Sequence, residues 1–273
     1  MRRCFAFWFV VGLALVCSGQ DAARPQQKSA GEQLKPQREY NEHDARMWAL
    51  GASAVLIERN HGRHTTLAPA SMNERNIANE KKLLSESWGV ESRQDLFRIF
   101  RHMDAGMHRA AFDKWAERID GLDKEQFLEL LEQHKGDKET FNEIMVVKKY
   151  YKELGDKSLW GWDYSRDICL CRWGYMVGYI TEEEAWKRIM AVARILQTKF
   201  DSWEDLGCNY LIGRQFWSCK RTEESGYLYD DAFMRLLDMP SSPWNKYPWD
   251  LPLCPDAGET QETVLGKQQE QEQ

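Results

Sequence analysis

The chain has 273 residues and a formal net charge of −6, with 37 Lys and Arg against 43 Asp and Glu. This length accommodates one well-buried domain together with polar ends. The acidic balance argues against a nucleic-acid partner, because nucleic-acid binding depends on a basic surface.

The N-terminus has the pattern of a secretory signal peptide. A basic head precedes an apolar run over residues 5–16, and small residues follow before Gln20. The run is too short to span a bilayer comfortably, so we predict export to the periplasm or the medium. Two alternatives stay open, and both involve the membrane only through this segment. One is an uncleaved anchor through residues 5–16, and the other is lipidation at Cys17.

Composition divides the chain into four segments. We predict a signal peptide over residues 1–19, a disordered linker over 20–39, a helical domain over 40–255 and a disordered Glu/Gln-rich tail over 256–273. The linker and the tail are polar and lack the apolar periodicity that a core requires. The domain has no internal repeat, no phosphate loop and no alternating pattern long enough for a sheet. The predicted fold class is therefore all-α, as a single compact multi-helix domain.

Two helices are predicted before residue 90. The first begins near Asn41, is apolar over almost all of residues 47–57, and is expected to end at Gly62, which tolerates the left-handed cap conformation. Gly51 is expected to let another helix approach closely. The second helix is predicted to begin at Ser71 and to end near Trp88.

Glu58, His61 and His64 follow one another at three-residue steps between these helices. Such residue types can ligate a metal. However, Gly62 interrupts the helix between the two histidines, so the histidines need not share a face. Hydrogen-bonded loop residues are the ordinary interpretation, and we predict neither a metal nor a cofactor.

The middle of the chain predicts amphipathic helices that pack on the outside of the core. One begins at Ser92, whose hydroxyl can cap the helix and is followed three residues later by an acid. A second helix covers residues 110–119, a third begins at Asp123, and a fourth ends near Gly155.

The stretch from Trp160 to Trp217 contains six of the twelve tryptophans and three of the seven cysteines. Burial of large rings stabilises a fold strongly, so this stretch should form the main core. A helix that has Asp163 in or just before its first turn is apolar nearly all round and is predicted to be central. Gly174 and Gly178, four residues apart, would permit close backbone contact.

The end of the domain is predicted to contain three more helices and a strap. Thr181 and Ser202 begin two of the helices, the first through a capping box, and residues 229–237 form a last short helix. Residues 239–255 are rich in proline and must be extended. Trp244 and Trp249 are expected to pin this extended strap across the domain.

Removal of a signal peptide would leave an odd number of cysteines, which does not indicate a disulfide framework. No C-x-x-C motif is present, so a structural zinc site is not expected. We predict free thiols, with a Cys208–Cys219 bridge as the alternative; the five cysteines are Cys169, Cys171, Cys208, Cys219 and Cys254.

Five stretches resemble a bacterial family known as domain-of-unknown-function family 1266. They match in order and spacing between residues 48 and 249. The resemblance implies a largely helical domain of unknown activity and assigns no catalytic residues. Members are often soluble cytoplasmic proteins, so the export signal is a departure. The stretches are WALGASAVLIERNHGRHTTL (48–67), SWGVESRQDLF (87–97), WDYSRDICLCRWGYMVGYITEEEAWKRI (162–189), SWEDLGCNYLIGRQFW (202–217) and SPWNKYPW (242–249).

Charged residues at the start of the central helix are the candidate site. Asp163, Arg166 and Asp167 are spaced to share a face, and Glu184 and Arg214 could lie near them. A buried carboxylate with a raised pKa could perform acid–base chemistry. The preferred interpretation is a structural ion-pair network, because buried charges must be paired in any case. Nucleophilic catalysis would require a distant histidine to fold against this stretch: His61, His64, His102 or His108.

Three functions remain open. We favour a non-catalytic protein-interaction or scaffold domain with an unidentified protein partner, which predicts an exposed aromatic surface near Trp244 and Trp249. A hydrolase predicts a water-accessible cleft where at least two of the candidate carboxylates converge. A binder of a small apolar ligand predicts one apolar cavity walled by Trp173, Trp186, Trp203 or Trp217.

Overall fold

The structure is a computed structural model that describes residues 39–254. The predicted signal peptide, most of the linker, Cys17 and the Glu/Gln-rich tail lie outside the described residues. Within residues 39–254 no strand is present, which confirms the all-α class. The helices are α1 (Glu42–Gly51), α2 (Ala54–Arg59), α3 (Glu74–Trp88), α4 (Arg93–Asp104), α5 (Met107–Ile119), α6 (Lys124–His134), α7 (Lys138–Leu154), α8 (Trp160–Met176), α9 (Glu182–Lys199), α10 (Trp203–Trp217), α11 (Cys219–Asp238) and α12 (Pro243–Lys246).

Helix α8 lies at the centre of the domain, as predicted. It is buried along almost its whole length, and Leu170 and Trp173 are 0% and 3% exposed. Helices α9 and α10 pack along it, and α2, α3, α4 and α5 complete its surroundings. No helix in the described part of the chain is both long enough and apolar enough to cross a membrane.

Local capping explains why most helices begin where the sequence predicts. A side-chain oxygen at the cap accepts a hydrogen bond from a backbone N–H in the first turn, which would otherwise lack a partner. The confirmed starts are Asn41, Ser92, Asp123, Thr181 and Ser202.

The predicted first helix is two helices, and its predicted end was wrong. The chain breaks between α1 and α2 at Ala52 and Ser53. His61, with φ 56°, takes the left-handed conformation that was assigned to Gly62. Gly62 lies at a tightly packed position, where a Cβ would lie 3.0 Å from a methyl carbon of Ile57. Helix α3 is capped by Asn73, two residues after the predicted Ser71.

Helix α11 is much longer than the predicted residues 229–237, because its first half is stabilised from outside. Its Ser218 cap is supported by α7, where Glu139 accepts hydrogen bonds from the backbone N–H groups of Cys219 and Lys220. The second half packs on the core through Tyr229 and Phe233.

Trp244 and Trp249 pin the C-terminal strap to the domain as predicted, but the strap is not extended throughout, because residues 243–246 form the helical turn α12. The Trp244 indole N–H donates to the Gly51 carbonyl at 2.9 Å, and the Trp249 indole N–H donates to the Phe200 carbonyl at 3.0 Å. Gly51 therefore lets two helices approach closely, as predicted: the Trp203 ring of α10 lies 3.2 Å, and Pro243 of α12 lies 3.4 Å, from where its Cβ would be.

The predicted close contact at Gly174 and Gly178 is correct for one of the two glycines. A Cβ at Gly174 would lie 2.5 Å from a methyl carbon of Leu96, so α4 requires a glycine there. A Cβ at Gly178 would meet no other atom, so space does not require a glycine there. Gly178 instead has φ 81°, a left-handed conformation that lets the chain turn directly after α8.

The structure describes five of the cysteines, at positions 169, 171, 208, 219 and 254. No disulfide occurs within residues 39–254, so the Cys208–Cys219 alternative was wrong. Cys169 and Cys171 are fully buried in α8, and burial raises the pKa of Cys169 to about 12. These two thiols are core residues.

Candidate functional site

Asp163 and Arg166 form a buried pair with a histidine that the sequence did not assign to them. One Asp163 oxygen accepts from Arg166 Nη2 at 2.9 Å, and the other accepts from the Arg109 backbone N–H at 3.0 Å. Arg166 Nη2 also lies 2.9 Å from His108 Nδ1, to which it donates. The pair is thereby tied to α5.

His108 is neutral in this arrangement. Its Nδ1 accepts from Arg166, so the ring proton is on Nε2. The same Nδ1 lies 3.3 Å from Asp163 Oδ1, but that longer contact cannot be a hydrogen bond while Nδ1 is an acceptor. Burial lowers the pKa of His108; the neighbouring Asp163 carboxylate acts in the opposite direction, and the charge of Arg166 lowers the pKa again.

The other two candidate carboxylates belong to separate pairs. Asp167 accepts from Arg188 Nε at 2.9 Å and from Nη2 at 2.6 Å, and Arg188 continues to Asp104 of α4 at 2.8 Å. Glu184 lies at the surface, where Arg93 donates to both of its oxygens at 2.7 and 2.9 Å. Hydrogen bonds from Arg93 lower the pKa of Glu184 to about 2.

These positions bear on the hydrolase hypothesis. Asp163 and Asp167 are both 0% exposed, each is held by its own arginine, and Glu184 lies elsewhere on the surface. No two of the candidate carboxylates share a water-accessible cleft. The arrangement is that of a structural network joining α8 to α4, α5 and α9.

Two of the four tryptophans named as alternative walls of an apolar cavity, Trp203 and Trp217, pack against different rings. Trp203 packs against the rings of Trp48, Trp244 and Trp249 under the strap. Trp217 packs against Trp162, with ring centroids 6.0 Å apart.

Glu58 and His64 serve as hydrogen-bonding residues. Glu58 lies 2.8 Å from His64 Nε2 through one oxygen and accepts from Arg235 Nε at 2.9 Å through the other. No three His, Cys, Asp or Glu side chains are grouped to hold a metal anywhere in residues 39–254.

Arg214, the fifth candidate, has surroundings unlike the other four. It is 4% exposed, and its guanidinium lies 3.8 Å above the ring of Tyr229. One terminal nitrogen donates to the Arg221 carbonyl and to the Ser225 hydroxyl, each at 2.8 Å. Its Nε is buried without a hydrogen-bond partner, and no carboxylate of the described segment lies within ion-pair distance.

Arg59 at the end of α2 approaches the same ring. Its guanidinium lies 5.6 Å from the Tyr229 centroid, and it donates to the Asn60 side chain at 2.9 Å. Its Nε is also buried without a partner, and it forms no ion pair within residues 39–254. Both oxygens of the adjacent Glu58 are already used. Burial and the nearby charge of Arg59 both lower the pKa of Arg214.

Two further buried donors without a hydrogen-bond partner lie beyond the Tyr229 ring, toward the core. Tyr210 is 1% exposed, its ring lies 6.3 Å from that of Tyr229, and its hydroxyl has no partner. The Trp162 ring lies 5.0 Å from that of Tyr210, and its buried indole N–H also lacks a partner. We refer to Arg59, Trp162, Tyr210 and Arg214 as the donor cluster.

A buried donor without a partner costs about 1–3 kcal/mol, so four in one contiguous cluster require an explanation. A water molecule could accept from the hydroxyl or the indole, but it would not neutralise two guanidinium charges. A carboxylate that acts on the charge of Arg214 is that of Asp230 in α11. Burial raises the pKa of Asp230, and it forms no ion pair with Arg214.

The sequence contained a signal for part of this cluster. Tyr210 and Arg214 are four residues apart and share a face of α10. Arg59 had no such signal, because it joins the cluster only through the packing of α2 against α11.

Comparison with known proteins places the chain among uncharacterized relatives. Residues 83–249 match a family described as protein of unknown function (DUF1266). The match includes Trp162, Tyr210 and Arg214, and Arg59 precedes it.

Two Escherichia coli K12 relatives are both described as uncharacterized. YbeR is 27% identical over 139 residues, which is 49% of this chain and 56% of YbeR. YbeU is 25% identical over 176 residues, which is 57% of this chain and 68% of YbeU. The chain thus spans little more than half the length of YbeR. No solved structure matches it significantly.

Proposed function

Because this chain belongs to the DUF1266 family of proteins of unknown function, we propose a function from its own side chains: it binds a small ligand through an anionic group, a carboxylate or a phosphate. The observation that carries this proposal is the pair of guanidiniums on the Tyr229 ring. Arg59 and Arg214 both point an unpaired Nε into buried surroundings, and neither forms an ion pair in the described domain.

Electrostatics favours an anion between these two residues. Two like charges in partly desolvated surroundings raise the free energy of the fold unless an opposite charge lies near them. A carboxylate or phosphate oxygen would accept from both guanidiniums, and arginine suits the planar geometry of such groups. The Tyr210 hydroxyl and the Trp162 N–H supply further donors on the inner side of the cluster.

Thermal unfolding tests this proposal with inorganic phosphate and with acetate, each against sodium chloride at equal ionic strength. At one hundred times the dissociation constant a ligand stabilises the fold by about 2.7 kcal/mol. For a domain of this size, that corresponds to a rise in Tm of about 5–10 °C. We expect one or both anions to give such a rise, and Arg214→Met to abolish it.

The matched control is Arg75→Gln, since Arg75 is an exposed arginine on α3. Each variant is compared with its own Tm in chloride, so that loss of stability is separated from loss of binding. The control should keep the full rise. If neither anion raises the Tm of the native sequence, or if Arg214→Met keeps the rise, the proposal is wrong.

An interaction role for this chain stays a prediction, as does its export. Of the two tryptophans expected at an exposed aromatic surface, Trp244 is 6% exposed, and Trp249 is partly buried with its indole N–H bonded to the Phe200 carbonyl.

A further inference from the structure

One face of α10 connects the donor cluster with solvent. Tyr210, Arg214 and Trp217 follow one another at steps of four and three residues, so their side chains lie in a row along the helix. Their exposed fractions rise along this row from 1% through 4% to 41%. The row therefore reaches solvent at the Trp217 indole.

Trp217 is unusual among the tryptophans. Among the tryptophans of residues 39–254, Trp217 alone is exposed, and the others are buried or partly buried. Its ring centroid lies 6.0 Å from that of Trp162 and 5.8 Å from the Arg214 guanidinium. An exposed indole thus stands next to the arginine that we propose to bind an anion.

An indole face attracts planar rings. Aromatic pairs prefer offset or edge-to-face contacts at centroid distances of about 4.5–7 Å, and they gain binding energy beyond the area they bury. A ligand with an anionic group on a short rigid ring could contact the indole and the guanidinium at once. A simple inorganic anion would leave the indole in water.

Resting on the proposed function, we infer that the ligand is an aromatic anion: an aryl carboxylate or aryl phosphate whose ring packs on Trp217 while its anionic group lies against Arg214 and Arg59. Trp217 then determines specificity, and the donor cluster supplies the charge recognition. Aryl carboxylates and aryl phosphates share the aromatic ring and the anionic oxygen acceptors, and they differ in the geometry and the charge of the anionic group.

Isothermal titration of the full chain with two carboxylates tests this inference. Benzoate and cyclohexanecarboxylate have the same charge and nearly the same size, but only benzoate is planar and aromatic. We expect benzoate to bind about three- to tenfold more tightly, the range that one aromatic contact contributes. Trp217→Leu should remove this difference and change the affinity for cyclohexanecarboxylate less than about twofold.

Trp186→Leu is the matched control, because Trp186 is a partly buried indole of α9 that also lies beside an arginine, Arg46. It should keep the preference for benzoate. Phenyl phosphate against inorganic phosphate repeats the comparison for the second class of anion.

The outcomes separate this inference from the proposed function. Equal affinity for both carboxylates, with both lost in Arg214→Met, would overturn the aromatic preference and leave anion binding in place. A uniform loss of both in Trp217→Leu would also overturn it, because the indole would then only shape the site. No binding of any of the four anions would overturn both proposals.

Discussion

Replacing Arg172 with leucine is expected to lower the free energy of unfolding by about 4 kcal/mol or more. Arg172 is 0% exposed in the centre of α8, and its donors hold the loop that follows α2. It donates to the Ser53 hydroxyl at 3.0 Å, to the Leu67 carbonyl at 3.2 Å, to the Thr66 carbonyl at 3.1 Å and to the Arg63 carbonyl.

The magnitude follows from what the substitution leaves behind. Leucine removes every donor, so the two acceptors on buried residues, the Ser53 hydroxyl and the Leu67 carbonyl, lose this partner at about 1–3 kcal/mol each. These acceptors are neutral, and burial accordingly lowers the pKa of Arg172 to about 10. The residue nevertheless stays charged at neutral pH.

Urea denaturation followed by circular dichroism at 222 nm measures this effect. The control is Arg101→Leu, an exposed arginine in the last turn of α4, which should change the free energy of unfolding by less than about 0.5 kcal/mol. If Arg172→Leu were as mild as the control, the loop would not depend on the arginine.

Replacing Asp167 with leucine is expected to lower the free energy of unfolding by about 3–5 kcal/mol. Asp167 is 0% exposed and receives two hydrogen bonds from Arg188, which is 8% exposed. The substitution leaves the Arg188 charge with only Asp104, a partner at the edge of the core.

A double variant distinguishes the loss of the pair from the burial of an unpaired charge. Removing both partners of a buried ion pair lowers the free energy of unfolding less than removing one, because no buried charge is then left without a partner. Asp167→Leu with Arg188→Met should therefore be more stable than Asp167→Leu alone, by urea denaturation. A double variant that loses the sum of both single effects would show that no such coupling exists.

The sequence predicted the features that local chemistry determines. Helix starts at Ser92, Thr181 and Ser202 are confirmed because a cap and the acid after it lie within four residues. The burial of α8 was predictable because a helix with apolar residues on all sides must pack against other helices on all sides.

Features that depend on distant contacts were missed. The first half of α11 is polar, and its start depends on Glu139, which lies about eighty residues earlier in α7. The candidate site shows the same limit. Arg214 was among the predicted residues, but its neighbours Arg59 and Tyr229 come from helices whose packing no short pattern encodes.

The central claim is that the donor cluster holds an anion between Arg59 and Arg214. The most direct measurement is a crystal structure grown with selenate, with anomalous data collected at the selenium absorption edge. The account predicts an anomalous selenium peak within about 4 Å of both Nε atoms, so that selenate oxygens lie at hydrogen-bonding distance from them. An ion pair between Arg214 and Asp230, with no peak beside either arginine, would contradict it.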